Sequence, residues 1–149
     1  MAFKLVILAA LCVYVQAQSS STTLTPTMAQ KVNAVATKCK TELNSPPEAV
    51  ALLGARSLPT DEKQRCFLEC VYKNLGIVKD NKFSPEGSKA LAAQRFKGDE
   101  LTKANKLVET CAKEVVVAAG NTEKCALGKS VRSCFVKNGE KIPNFFRKA

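Results

Sequence analysis

The 149-residue chain carries 23 Lys and Arg against 13 Asp and Glu, a formal net charge of +10, and it contains no histidine and no tryptophan. Without histidine there is no Ser-His-Asp or Cys-His catalytic arrangement and no Cys/His zinc set, and no side chain titrates near pH ~6.5 by default. Gly-x-Ser-x-Gly and phosphate-loop patterns are absent as well, so the composition speaks against an enzyme.

The chain opens MAFKLVILAALCVYVQAQSS, with Lys4 ahead of an apolar stretch from Leu5 to Val15 and small residues at Val15-Gln16-Ala17. An apolar run of about ten residues is too short to span a bilayer. Residues 1–17 are therefore predicted to be a secretory signal peptide and 18–149 a single secreted domain. Cleavage would remove Lys4, Cys12 and Tyr14, leaving a charge of +9, six cysteines and Tyr72 as the one tyrosine. An even cysteine number in an exported chain implies disulfides.

Helix signals then follow one another. Thr25-Pro26 reads as a cap with proline at the first helical position, ahead of an apolar stripe of Met28, Val32, Val35, Cys39 and Leu43. Ser45-Pro46 starts a short second helix that Gly54 stops, and Thr60 with Asp61 and Glu62 opens a third that runs to about Leu75 before Gly76. Ser84-Pro85-Glu86 caps a fourth. Asp99 opens a fifth, whose stripe of Leu101, Ala104, Leu107, Val108, Cys111 and Val115 is carried on through VVVAA to Gly120. Asn121-Thr122-Glu123 opens a sixth that carries Cys125, Val131 and Cys134 and ends near Gly139. No segment alternates with period two for long enough to argue for a sheet, so the predicted class is all-α with six helices.

Cys66 and Cys70 stand four apart on one helix, with parallel Cβ vectors that suit bonds to two other elements better than a bond to each other. Cys125 and Cys134, nine apart, would fall on opposite sides of the sixth helix. Composition alone leaves the pairing open. A zinc knuckle is disfavoured by the single Cys-x3-Cys without histidine, and a thioredoxin-type couple by the lack of Cys-x-x-Cys.

The whole spacing, Cys39-x26-Cys66-x3-Cys70-x40-Cys111-x13-Cys125-x8-Cys134, resembles the six-cysteine insect odorant-binding proteins of the pheromone/general odorant-binding type. The x3 and x8 intervals are that family's tightest features. The resemblance implies a disulfide-crosslinked helical fold around an apolar pocket, with pairs Cys39–Cys70, Cys66–Cys125 and Cys111–Cys134. It further implies a carrier that binds odorants or pheromones reversibly and takes them through sensillum lymph to an odorant receptor. The same fold serves carriers of fatty acids and other lipophiles in other secretions. No cofactor and no metal are implied.

The candidate wall is drawn from the apolar stripes: Phe67, Val71 and Leu75; Leu91 and Phe96; Leu107, Val108, Val115 and Val116; and Phe135. Taken residue by residue, each is equally at home in a plain core. Tyr72 is read as half exposed, or as a hydrogen-bond donor to a ligand oxygen. In the tail, Ile142, Phe145 and Phe146 lack a helix of their own and should fold back onto the body as a wall or lid, because leaving large apolar side chains in water is unfavourable. Arg95, beside Phe96, is the basic residue suggested for a pocket mouth that takes carboxylate ligands. The positive charges are scattered, which argues against nucleic acid. It leaves open attraction to an anionic membrane surface, including a cationic defence role. A monomer or weak homodimer is expected. With no histidine, ligand release is expected to depend only weakly on mild acidification.

Overall fold

Three of the helices begin where a short polar side chain accepts from a free N–H of the first turn. The computed structural model describes residues 26–146; the predicted signal peptide, 1–17, lies outside them. Helix α1 spans Met28–Glu42. Its cap is Thr27 rather than Thr25, which lies outside the described residues. The Gln30 N–H donates to Thr27 Oγ1 at 3.3 Å, and the Thr27 N–H donates to Gln30 Oε1 at 2.8 Å. This reciprocal pair needs a Gln or Glu three residues on, which Thr27 has. Helix α2, Pro47–Ala51, follows a bend in which proline occupies the first helical position.

Helix α3 covers Glu62–Asn74. Asp61, not Thr60, is its cap, accepting from the Gln64 N–H at 2.8 Å, while the Thr60 N–H donates to the Gln64 side chain at 2.8 Å. Between α3 and α4 the chain forms a small hairpin absent from the sequence expectation. Strand β1, Val78–Lys79, pairs antiparallel with β2, Lys82–Phe83, through a turn in which Asp80 and Asn81 have φ of 50° and 56°. Two residues per strand are too few to show a period. The visible signal was the Asp-Asn pair, which tolerates the left-handed backbone of a tight hairpin.

Helix α4, Pro85–Arg95, is capped by Ser84, whose Oγ accepts from the Gly87 N–H at 3.1 Å. Gly87 also marks a close approach: a Cβ there would sit 1.9 Å from the carbonyl oxygen of Gly76, which turns the chain at the end of α3 with φ +79°. We expect Gly87→Ala to destabilise the fold by about 1–3 kcal/mol, because the obstacle is backbone and cannot rotate away. A thermal melt that does not move would contradict this.

Helix α5 spans Gly98–Glu114 after Lys97, with Asp99 and Glu100 in the first turn, where the helix dipole favours carboxylates. It stops earlier than the apolar stripe suggested. Val115 is extended at φ −80° and ψ 90°, and Val116 is 71% exposed. Three consecutive β-branched residues are poor helix formers. Glu114 is drawn across to α6, accepting from Asn138 Nδ2 at 3.2 Å and from Lys137 Nζ at 3.4 Å. Helix α6 runs Ala126–Asn138, followed by a 3-10 turn at Gly139–Lys141. Cys125 is its cap in a left-handed conformation, φ 56°, and so does not share the helix with Cys134 as expected.

The three disulfides are Cys39–Cys70, joining α1 to α3; Cys66–Cys125, joining α3 to the entry of α6; and Cys111–Cys134, joining α5 to α6. Their Cα separations are 5.9, 5.0 and 5.7 Å, within the span a disulfide tolerates. This is the pairing that the family resemblance implied. Phe67, Leu68, Val71 and Val131 are among the fully buried side chains, so the core lies where α3 faces α6. The rest of the helices close around that seam and leave space on one side of it.

Candidate functional site

The space is a partly open chamber of about 140 Å³. Helix α3 contributes Val71, Tyr72 and Leu75, while α4 and its end contribute Ser88, Leu91, Arg95 and Phe96. Leu107 and Val108 enter from α5, Arg132 and Phe135 from α6, and Phe145 and Phe146 from the tail. A larger groove of about 770 Å³ adjoins it, lined by α1, α2, the end of α4 and Asn144. Met28, Val32, Leu53, Arg95, Phe96 and Phe145 line both. The chamber alone is smaller than the ~300–1,000 Å³ usual for ligand sites, whereas the groove falls within that range.

Aromatic side chains frame the chamber. The Phe145 ring stacks on Phe96 with centroids 6.2 Å apart and meets Phe135 edge-on at 5.7 Å and Phe146 at 4.9 Å. Such offset and edge contacts are the favoured geometries of aromatic pairs. Tyr72 meets Phe135 edge-on at 5.9 Å. The Arg95 guanidinium lies 5.0 Å from the Phe96 ring centroid and donates to the backbone carbonyl of Asn144, tying the tail to α4.

Two polar side chains sit deeper. Arg132 is 3% exposed, an unusual burial for arginine. Its Nε donates to the carbonyl of Ser57 at 3.0 Å, and its Nη2 donates to those of Leu52 and Ala55. Tyr72 is 4% exposed, which corrects the expectation of a half-exposed ring: α3 presents it to α6 rather than to solvent. Burial pushes its hydroxyl pKa above the usual tyrosine value, and nearby Arg132 opposes part of that shift. The hydroxyl forms no well-aligned hydrogen bond among the described residues. A raised native pKa means that stability is intact below the unfolded-state value of 10.0 and declines as the pH rises through the native one. We therefore expect the unfolding free energy to fall more steeply above pH ~10 in the wild type than in Tyr72→Phe; equal slopes in urea titrations would refute it.

The sequence model of the PBP/GOBP family matches residues 21–138. The chain belongs to the PBP/GOBP family. Among solved structures, the odorant-binding protein dmelOBP28a from Drosophila melanogaster is similar, with a TM-score of 0.60 at 23% identity. The match covers 74% of this chain and 91% of that one, and at such identity it speaks for the fold alone. No curated protein sequence matches the chain. PBP/GOBP proteins are non-enzymatic binders of small hydrophobic molecules. The three disulfides also suit an oxidising extracellular compartment.

Of the residues singled out from this PBP/GOBP sequence, Val71, Tyr72, Leu75, Leu91, Phe96, Leu107, Val108, Phe135, Phe145 and Phe146 border the chamber, as does Arg95. Phe67, Val115 and Ile142 do not. Phe67 and Ile142 are packed in the core, as is Val115 just past the end of α5. Val116 points into solvent. Sequence reasoning missed Met28, Val32, Leu53, Ile77, Ser88 and Arg132. Met28 and Val32 stand on the apolar stripe of α1, from which the candidate wall drew no residue. For Arg132 a faint signal existed: it stands between Val131 and Cys134, in the most apolar part of α6.

Proposed function

We propose that this protein is a secreted carrier that captures small hydrophobic molecules, odorants or pheromones among them, and transports them through sensillum lymph to receptors. The observation that carries this reading is the chamber beside the α3–α6 seam, mostly apolar, adjoining an open groove and roofed by Phe145 and Phe146. Moving an apolar molecule out of water is favourable in proportion to the area buried, and one or two polar groups suffice to orient it. The proposed binding residues are those of the chamber wall: Val71, Tyr72, Leu75, Leu91, Phe96, Leu107, Val108, Phe135, Phe145 and Phe146. The tail would act as wall and lid. The signal peptide at 1–17 would deliver the domain to the secretory route.

Displacement of a fluorescent apolar probe by a panel of volatile alcohols, aldehydes and esters tests the reading, with native mass spectrometry to count bound molecules. Stoichiometric, reversible displacement is expected. Failure to bind the probe or any panel member, with leakage of anionic vesicles instead, would replace the carrier by a membrane-active protein.

A further inference from the structure

The chamber is mostly apolar; its polar lining is Ser88 and Arg95 from α4 and, close to each other, Tyr72 and Arg132. The guanidinium of Arg132 is buried, and its Nε and Nη2 are committed to backbone carbonyls. Its face lies 4.8 Å from the centroid of Phe146. Among the described residues no carboxylate pairs with it, and the Tyr72 hydroxyl lies beside its guanidinium. Carbonyl dipoles and a ring face soften the charge without neutralising it, and a buried charge is expensive until it is paired. The Ser88 hydroxyl is buried without a hydrogen-bond partner among the described residues, and that of Tyr72 lies beside Arg132 without a well-aligned bond. A native fold rarely leaves several buried polar groups unsatisfied around one space.

We propose that the chamber is a carboxylate head-group site: the carboxylate of a fatty-acid-like ligand pairs with Arg132 and accepts from Tyr72, with Ser88 as a further donor. This rests on the carrier reading above and deepens it. A neutral alcohol or aldehyde satisfies a hydroxyl but leaves the cation unpaired. An ionised acid does both, through short charge-assisted hydrogen bonds. The tail of such a ligand would run along the wall formed by Leu75, Leu107 and Phe135, and past Phe145 into the groove, since the chamber alone is too small for a long chain. Arg95 is a different kind of basic residue. It is bound to Asn144 and stacked on the partition between chamber and groove, so it holds the roof.

The test is isothermal titration of the full secreted protein with decanoate, 1-decanol and decanal at neutral pH, where the acid is ionised. Decanoate is expected to bind at least about tenfold more tightly than either neutral partner, a difference of ~1.4 kcal/mol. Arg132→Gln should bring the decanoate-to-decanol affinity ratio down to about one. Because Arg132 also holds the loop after α2, Tyr72→Phe serves as the second variant. It keeps the ring and should reduce the acid-to-alcohol ratio several-fold. Equal affinity for acid and alcohol in the wild type would overturn the head-group site and leave the carrier reading standing. No binding of any of the three would overturn both.

Discussion

Replacing Cys66 and Cys125 together by serine is expected to lower the unfolding free energy by roughly 4 kcal/mol. This bridge spans 59 residues of sequence, against 31 and 23 for the other two. Longer closed loops restrict the unfolded chain more, so in the chain-entropy account the Cys66–Cys125 bond contributes most. It also joins α3 to the left-handed entry of α6, across the seam that holds Phe67, Leu68 and Val131. A domain of this size is stable by only ~5–15 kcal/mol, so the loss would be a large share of the total. Urea unfolding under non-reducing conditions measures it. A loss below about 1 kcal/mol would mean that the α3–α6 packing holds without the bond.

Ending the chain at Gly139 is the second change with a large expected effect, this time on binding. Truncation removes Ile142, which is packed in the core, and Phe145 and Phe146, which line the chamber. It also removes the Arg56–Glu140 ion pair at 3.3 Å, an exposed contact of small worth. Phe145 borders both chamber and groove, so its loss would merge the two and admit water. Burying one large apolar side chain contributes about 1.5–3 kcal/mol, and a ligand that loses comparable shielding should bind about tenfold to a hundredfold more weakly. Dissociation constants for a ligand panel, measured on truncated and full-length protein, decide the matter. Unchanged affinities would relegate the tail to surface packing. Phe145→Ala with Phe146→Ala in the full chain separates the roof from the core anchor Ile142: affinity should fall while most of the stability lost on truncation is retained.

Much of the helical frame could be read in the chain because caps, stops and cysteine spacings are local. Asp61, Ser84 and Gly76 act within a turn of their own position, and the periodic stripes of α1, α3 and α5 need no partner to be seen. Errors came where two local signals competed. The apolar stripe of α5 argued for helix through VVVAA, but the β-branched run and the pull of α6 on Glu114 ended it at that residue. Thr25-Pro26 looked like a start, yet Thr27 had the glutamine needed for a reciprocal cap.

The site was legible only as a set of apolar residues. Phe67 and Val71 lie one turn apart on the same face of α3, but Phe67 is packed solid and Val71 borders the chamber. Nothing in their chemistry separates them, since a void is what remains after several elements have approached one another. The buried position of Arg132 has the same origin. Its charge can be tolerated there because the loop after α2 turns three carbonyls toward it, and that loop is 75 to 80 residues away in the chain. The amino-acid order by itself therefore determined the six helices, which are decided by neighbours along the chain, while the pairing of the cysteines, 23 to 59 residues apart, was implied only by the family resemblance. Only the tertiary structure decided which apolar faces border empty space and where a cation lies among them, because those depend on distances between elements that no local pattern encodes.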